Sequence, residues 1–191
     1  MRTESLRQNI LQIAERLLKE KGYNGWSYQD ISTVIGIKKA SIHYYFPRKE
    51  DLGCELIEYY HHNSLENLTE TCRKLTKAND KLAAFARLYA NVLEQPNCYC
   101  LLGMLAADFM TLPDKMQTAL RKSFEEERNW VAQVLEEGAT QDLWDTEESS
   151  FELKAAVIVN CLQGMLLMAR LEKNPQKAFF ENAILFLQNL C

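Results

Sequence analysis

Glycine and proline are scarce, seven and four among 191 residues, so the chain has few places where a tight turn or a helix break comes easily. With 47% hydrophobic and 25% charged residues, that scarcity fits a soluble globular protein that is helical almost throughout. No apolar run is long enough to span a bilayer: the longest, Cys98 to Ala107, falls well short of the ~20 residues a spanning helix needs. Charges pepper the first thirty residues, so no signal peptide is expected. Six cysteines occur without regular spacing and read as reduced thiols of a cytoplasmic protein. Also missing are a glycine-rich phosphate loop, a His-Glu-x-x-His run and a Gly-x-Ser-x-Gly elbow, so neither an enzyme nor a cofactor is expected. His61 and His62 stand side by side with at best Glu66 at ligand spacing, which reads as surface histidines and no metal site.

Charge is present but unevenly shared. The net charge of −4 argues against nucleic acid when taken whole. Residues 1–52, however, hold nine Lys/Arg against six Asp/Glu, and the remainder thirteen against twenty. A basic end on an acidic body can set one face on DNA while the rest is repelled.

The most informative stretch is Ser27 to Leu52, SYQDISTVIGIKKASIHYYFPRKEDL. Ile31, Val34 and Ile35 recur at helical spacing and give a first short helix an apolar face. Ser27 is a good N-cap with Asp30 at the capping-box position, and Trp26 and Ile31 occupy the two places of a hydrophobic staple. Gly36 ends the helix and permits a tight turn. A second helix, Lys38 to Phe46, displays Lys38, Lys39, Ser41, His43 and Tyr44, buries Ile42 and Phe46, and stops at Pro47. A braced helix across a glycine turn from a short basic one is what a helix-turn-helix needs to enter the major groove. A small helical corner with a solvated basic face shows the same pattern.

The run from Asp30 through Leu52, with its apolar positions, its glycine, the Tyr44-Tyr45-Phe46 end and the Lys49-Glu50-Asp51-Leu52 start of a further helix, resembles the signature of the tetracycline-repressor (TetR) family of bacterial transcription regulators. The resemblance covers about residues 6 to 60. It implies an all-α fold of about nine helices: a three-helix DNA-binding head, residues 1–47, and an effector-binding and dimerisation body, residues 48–191. It also implies that Lys39, Ala40, Ser41 and His43 face bases, while Tyr28, Gln29, Tyr44 and Lys49 hold phosphates. The residue types suit the roles. Lys39 can reach guanine acceptors, Ala40 a thymine methyl, and Ser41 several base edges, and amides near Arg48 and Lys49 would start a helix that attracts phosphate. His43 departs from the usual family pattern, and a phosphate-side or solvent-facing place is open to it. Arg2 and Arg7 could touch phosphates or water.

Around this head the chain reads as helices. Residues 4–21 carry a stripe of Leu6, Ile10, Ile13, Ala14 and Leu17, and residues 48 to about 76 make one long helix, which in the family carries effector binding to the head. Asn79 caps a helix over 80–94, broken by Pro96 and Asn97. The segment 98–110 is apolar on most sides and reads as an interior helix. Pro113 opens a helix to Glu137 that Gly138 ends, and Thr146 caps one over 147–172. Pro175 opens the last, to Leu190. The last two helices are apolar beyond one face, which points to a four-helix contact across a two-fold axis formed by Ala156, Asn160, Gly164, Phe180, Ile184 and Leu187; a thick monomeric core is the alternative.

A small-molecule effector pocket lined by Met104, Asp108, Phe109, Met110, Phe124, Trp130 and Gln163 would combine large apolar walls with a few polar groups. Asp108, if buried, wants a partner: a cationic or hydrogen-bonding ligand, or else a cap or surface position. The Cys98-x-Cys100 segment is similar to one in the electrophile-sensing, N-ethylmaleimide-repressor-like subgroup, which makes Cys100 a candidate sensor of thiol-reactive effectors, although no neighbouring Lys or Arg is visible to activate it. The combined expectation is a cytoplasmic homodimeric regulator, by family default a repressor, that binds a palindromic double-stranded DNA operator and touches no membrane. The alternative is an effector-binding or interaction protein whose head no longer binds DNA specifically.

Overall fold

The computed structural model describes residues 2–94, 99–143 and 150–190, which form nine α-helices and two 3₁₀ turns with no strand among them. Pro96, Asn97, Cys98, Thr146 and the side chain of Arg2 lie outside the described residues. Contacts divide the chain into two compact units: Met1–His62 with Asn97–Ser123, and Asn63–Pro96 with Phe124–Cys191.

In the first unit, α1 (Arg2–Lys21) buries Ile10, Leu11, Ala14, Leu17 and Leu18 along one stripe and packs on α2 (Tyr28–Ile35) and α6 (Leu101–Ala107). Gly22 follows at φ +69° with its N–H donating to Leu18 O at 2.9 Å, a left-handed helix end that favours glycine. The expected capping box is present: the Ser27 side chain accepts from Gln29 N, and Asp30 accepts from Ser27 N at 2.8 Å. Those Ser27 bonds hold the Asp30 carboxyl below its ordinary pKa. Gly36, at φ +77°, closes α2. Then α3 (Lys39–Tyr45) buries Ile42, and Phe46 follows it into the core.

Two expectations fail here for reasons of helical phase. Val34 is 51% exposed: the inward stripe of α2 runs through buried Tyr28 and Ile31 to half-buried Ile35, and Val34 sits ~100° of helix turn away from Ile35. His61, expected at the surface, is buried, because in α4 (Lys49–Cys72) it falls four residues after Ile57 and seven before Leu68, both core residues. The apolar 98–110 segment also shortens. Its helix is α6 alone, followed by a 3₁₀ turn Phe109–Thr111, and Ala106, Ala107 and Met110 are exposed.

In the second unit, α5 (Ala78–Asn91) packs on α8 (Phe151–Ala169) and α9 (Pro175–Leu190), and α8 on α9. Asn79 lies inside the first turn of α5 and is not its cap. The Ala78 N–H is met by the Gln141 side chain at 3.1 Å, just beyond α7 (Asp114–Thr140), which itself runs past Gly138. Ser150 caps α8 by accepting from Leu153 N. By length and composition α8 would pass as a membrane span, a test that core helices of soluble proteins also pass.

Candidate functional site

The outer surface of α3 is where the hydrogen-bonding side chains gather. Lys38, Lys39, Ala40, His43 and Tyr44 are exposed and Ser41 is half-buried, with Tyr44 at 78% exposure and its ring edge-on to Tyr45 at 5.2 Å. His43 Nδ1 lies 3.2 Å from the Pro47 carbonyl. A carbonyl oxygen only accepts, so Nδ1 carries the proton and, in the neutral ring, Nε2 is left as an acceptor. The ring also stands edge-on to Tyr28 at 4.8 Å, which limits its swing. Gln29 is exposed at the start of α2, its Nε2 3.3 Å from Thr33 Oγ1. The helix is thus held from behind by Ile42 and Phe46 and displays cationic, hydroxyl and methyl groups to one side.

Two of the expected phosphate ligands are engaged inside the head. Tyr28 is buried, and its hydroxyl donates to Phe46 O at 2.9 Å, closing the end of α3 against α2; burial pushes its phenol pKa up. Lys49 Nζ donates to Tyr23 O at 2.5 Å and also to Trp26 O, and sits over the rings of Tyr23 and Trp26 at 4.5 and 4.1 Å. Burial lowers its pKa, against the pull of Asp30 and Asp108. Arg7 is likewise held, paired to Glu55 and over the Phe46 ring. The Arg48 N–H at the start of α4 donates to Asp51 at 3.2 Å, so that helix end is capped from within.

The expected effector residues are divided between the two units. Asp108 accepts the Tyr23 N–H at 2.7 Å, and Arg121 covers the Phe109 ring at 4.6 Å. Cys100 is buried at the N-cap position of α6, and Met104 is half-buried on the same helix. These four belong to the first unit, whereas Phe124, Trp130 and Gln163 belong to the second. There, Trp130 stacks on Phe85 at 5.4 Å, Phe85 meets Tyr89 edge-on at 5.2 Å, and Tyr89 lies parallel to Phe179 at 6.4 Å. Gln163 Nε2 donates to Tyr89 Oη at 3.3 Å, and Tyr89 Oη donates to Glu127 Oε2 at 2.7 Å. Burial raises the Glu127 pKa to about 7, against smaller lowering by Tyr89 and Arg128. Sequence reasoning passed over Glu127 because it ends a run of three glutamates. Its phase was the available signal, since Leu120, Glu127 and Val131 share one stripe of α7.

Of the expected dimer residues, Asn160 and Gly164 are exposed, and Ala156, Phe180 and Ile184 half-buried. Leu187 is corrected to the chain's own core at 6% exposure, because Phe179, Ala183 and Leu187 recur every four residues along the inward stripe of α9. The outward face of α8 instead carries Leu153, Val157, Leu167 and Met168, continued by Leu171 beyond its end, with Leu185 on α9.

Residues 10–54 match the profile of bacterial regulatory proteins of the tetR family, and residues 78–180 that of the tetracyclin repressor-like C-terminal domain. A TetR-family regulator from Agrobacterium tumefaciens is similar over 98% of this chain and 97% of its own, with a TM-score of 0.89 and 28% identity. A TetR regulator from Legionella pneumophila is 35% identical, over 95% of this chain and 94% of its own, with a TM-score of 0.82. The HTH-type transcriptional repressor NemR of Escherichia coli is 22% identical over 187 residues, 96% of this chain and 92% of its own length.

Proposed function

The chain belongs to the TetR family of bacterial transcription regulators, which are not enzymes, and from that premise we propose that it is a cytoplasmic repressor that binds a palindromic operator as a homodimer and is released by a small-molecule effector. The observation that carries the reading is α3: seven residues, braced by buried Ile42 and Phe46, with Lys39, Ala40, His43 and Tyr44 all exposed. In this reading Lys39, Ala40, Ser41 and His43 meet base edges, and Tyr44 and Gln29 meet the backbone. Tyr28 and Lys49 position α3 from inside the head.

Dimerisation rests on the exposed apolar face of α8 and α9, since a contiguous apolar surface of this kind marks an interaction site. Half-buried Ala156, Phe180 and Ile184 border it, and exposed Asn160 and Gly164 lie within it. Two heads so joined would address half-sites about 34 Å apart. The effector site is assigned to the second unit, around Trp130, Gln163 and Tyr89. Asp108 and Phe109 are engaged within the first unit, and buried Cys100 lacks the access a thiol sensor needs. Effector binding would favour an arrangement that no longer matches the half-site spacing, by a differential affinity of a few kcal/mol.

The test is binding of the purified protein to the DNA upstream of its own gene, against a scrambled duplex, with Lys39→Ala and Ser41→Ala as variants. Palindrome-dependent binding, weakened by ~1–3 kcal/mol for a lost base contact, is expected. Unchanged affinity in the variants sinks the base-contact assignment. Equal, weak binding to both duplexes would instead favour a head without specificity on an effector-binding body.

A further inference from the structure

Among the described residues, Glu127 is the one buried carboxyl group; the other buried polar side chains are His61 and Ser123. Among the described residues its hydrogen-bond partner is Tyr89 Oη at 2.7 Å, and Gln163 reaches that same hydroxyl. Tyr89 belongs to an aromatic cluster with Phe85, Trp130 and Phe179, part stacked and part edge-on, with centroid separations of 5.2 to 6.4 Å. A carboxylate offers about four acceptor directions, and one hydroxyl does not satisfy them. Burying such a group costs stability unless a charge or several donors meet it. An amide or apolar residue would fill the space without that cost.

We propose that Glu127, Tyr89 and Gln163, walled by Phe85, Trp130 and Phe179, recognise a small organic monocation, an alkylammonium or quaternary ammonium compound. This rests on the effector reading above and names the ligand class. The ammonium neutralises the carboxylate, and its methyl or methylene groups lie on ring faces, whose negative quadrupole attracts a desolvated cation. An anion would meet both the carboxylate and those ring faces and is excluded by the same charges. An uncharged ligand of equal shape leaves Glu127 protonated and gains neither term. Gln163, half-buried at the edge of the cluster, fixes the Tyr89 hydroxyl and with it the direction of the carboxyl.

Protonation gives the site a signature that simple core packing lacks. Cation binding requires the ionised carboxylate, so below its pKa of about 7 each bound cation displaces a proton, and affinity falls as pH falls. The experiment is calorimetric titration of the full chain with butylammonium, tetramethylammonium and benzyltrimethylammonium, beside neopentyl alcohol and benzoate as uncharged and anionic controls. Expected are cation binding at least ~tenfold tighter than either control, a ~tenfold loss of affinity between about pH 8 and about pH 6, and proton release at the lower pH. Glu127→Gln, which keeps an acceptor for Tyr89, should weaken cation binding at least ~tenfold and remove the pH dependence.

Failure of the whole cation series to bind, or equal binding by wild type and Glu127→Gln without a pH profile, overturns the proposal. The wild-type pH profile carries the test even if the variant does not fold. Operator release separates the two readings. Cations that bind at Glu127 without dissociating the operator complex leave the site standing and sink effector release. An uncharged compound that binds the body and dissociates the complex, with cations inert, keeps effector release and sinks the cation site.

Discussion

Asp108, the residue that ends α6, accepts the main-chain N–H of Tyr23 at 2.7 Å across 85 positions of sequence. The approach is close because the preceding residue is glycine: a Cβ at Gly22 would stand 2.6 Å from Asp108 Oδ2. Asn24 Nδ2 donates to Thr111 Oγ1 at 2.7 Å beside it. The turn that follows α1 is therefore tied to the end of α6 by a charged acceptor and a neutral pair. Replacing Asp108 by Ala removes a charge-assisted bond and should cost ~1.5–3 kcal/mol of unfolding free energy, while Asp108→Asn, which keeps an acceptor, should cost less. Gly22→Ala should destabilise by more than ~1 kcal/mol, since the φ of +69° strains any side chain and Asp108 must yield. Urea denaturation of the three variants checks the order, and Asn as harmful as Ala would mean that the carboxyl only fills space.

Lys49 is the second tie. Its ammonium holds the Tyr23 and Trp26 carbonyls and sits between their rings, so it organises the entry to α2 from within the head. Lys49→Met should lower stability by ~1.5–3 kcal/mol through loss of charged hydrogen bonds. It should weaken operator binding while leaving the salt dependence of binding parallel to wild type. A phosphate contact would instead reduce the slope of log affinity against log salt by about 1. Measuring affinity at several salt concentrations separates the two, and a flattened slope would return Lys49 to the interface.

The contrast between these two residues shows what the sequence makes legible. The capping box of Ser27 and Asp30, the turn at Gly36 and the exposed face of α3 are local, each set by residues within a few positions, and all three were readable. Lys49 reaches Tyr23 over 26 residues and Asp108 over 85, so neither partner could be read from spacing, and their charges looked available for DNA or ligand. Helical phase was readable but underused. It places His61 and Leu187 inward, and it distinguishes Glu127 from the exposed Glu125 beside it.

Phase also sharpens the dimer expectation. Leu153, Val157, Leu167 and Met168 share the outward side of α8, and a charge placed there should oppose self-association without disturbing the fold. Leu167→Glu is expected to sediment as a monomer with wild-type helicity and to lose most operator affinity, because two half-sites are no longer bound together. Leu187→Glu, by contrast, buries a charge in the chain's own core and should unfold the protein. Should Leu167→Glu remain dimeric, the subunit contact lies elsewhere.

Glu127 links the body to pH even without a ligand. Its native pKa of about 7 lies above the ordinary carboxyl value of 4.5, so between those two values the native state binds more protons than the unfolded chain. Stability is then highest below about 4.5 as far as this group is concerned, falls as pH rises toward 7, and is fully lost above it. The whole effect is on the order of 3 kcal/mol. Glu127→Gln stays neutral throughout and should lack this decline, so the stability difference between wild type and variant should shift against wild type from pH about 5 to about 8. Urea unfolding of both proteins across that range measures it. Parallel curves would mean that the carboxyl ionises in the native state as readily as in the unfolded one, which its burial against the Tyr89 hydroxyl opposes.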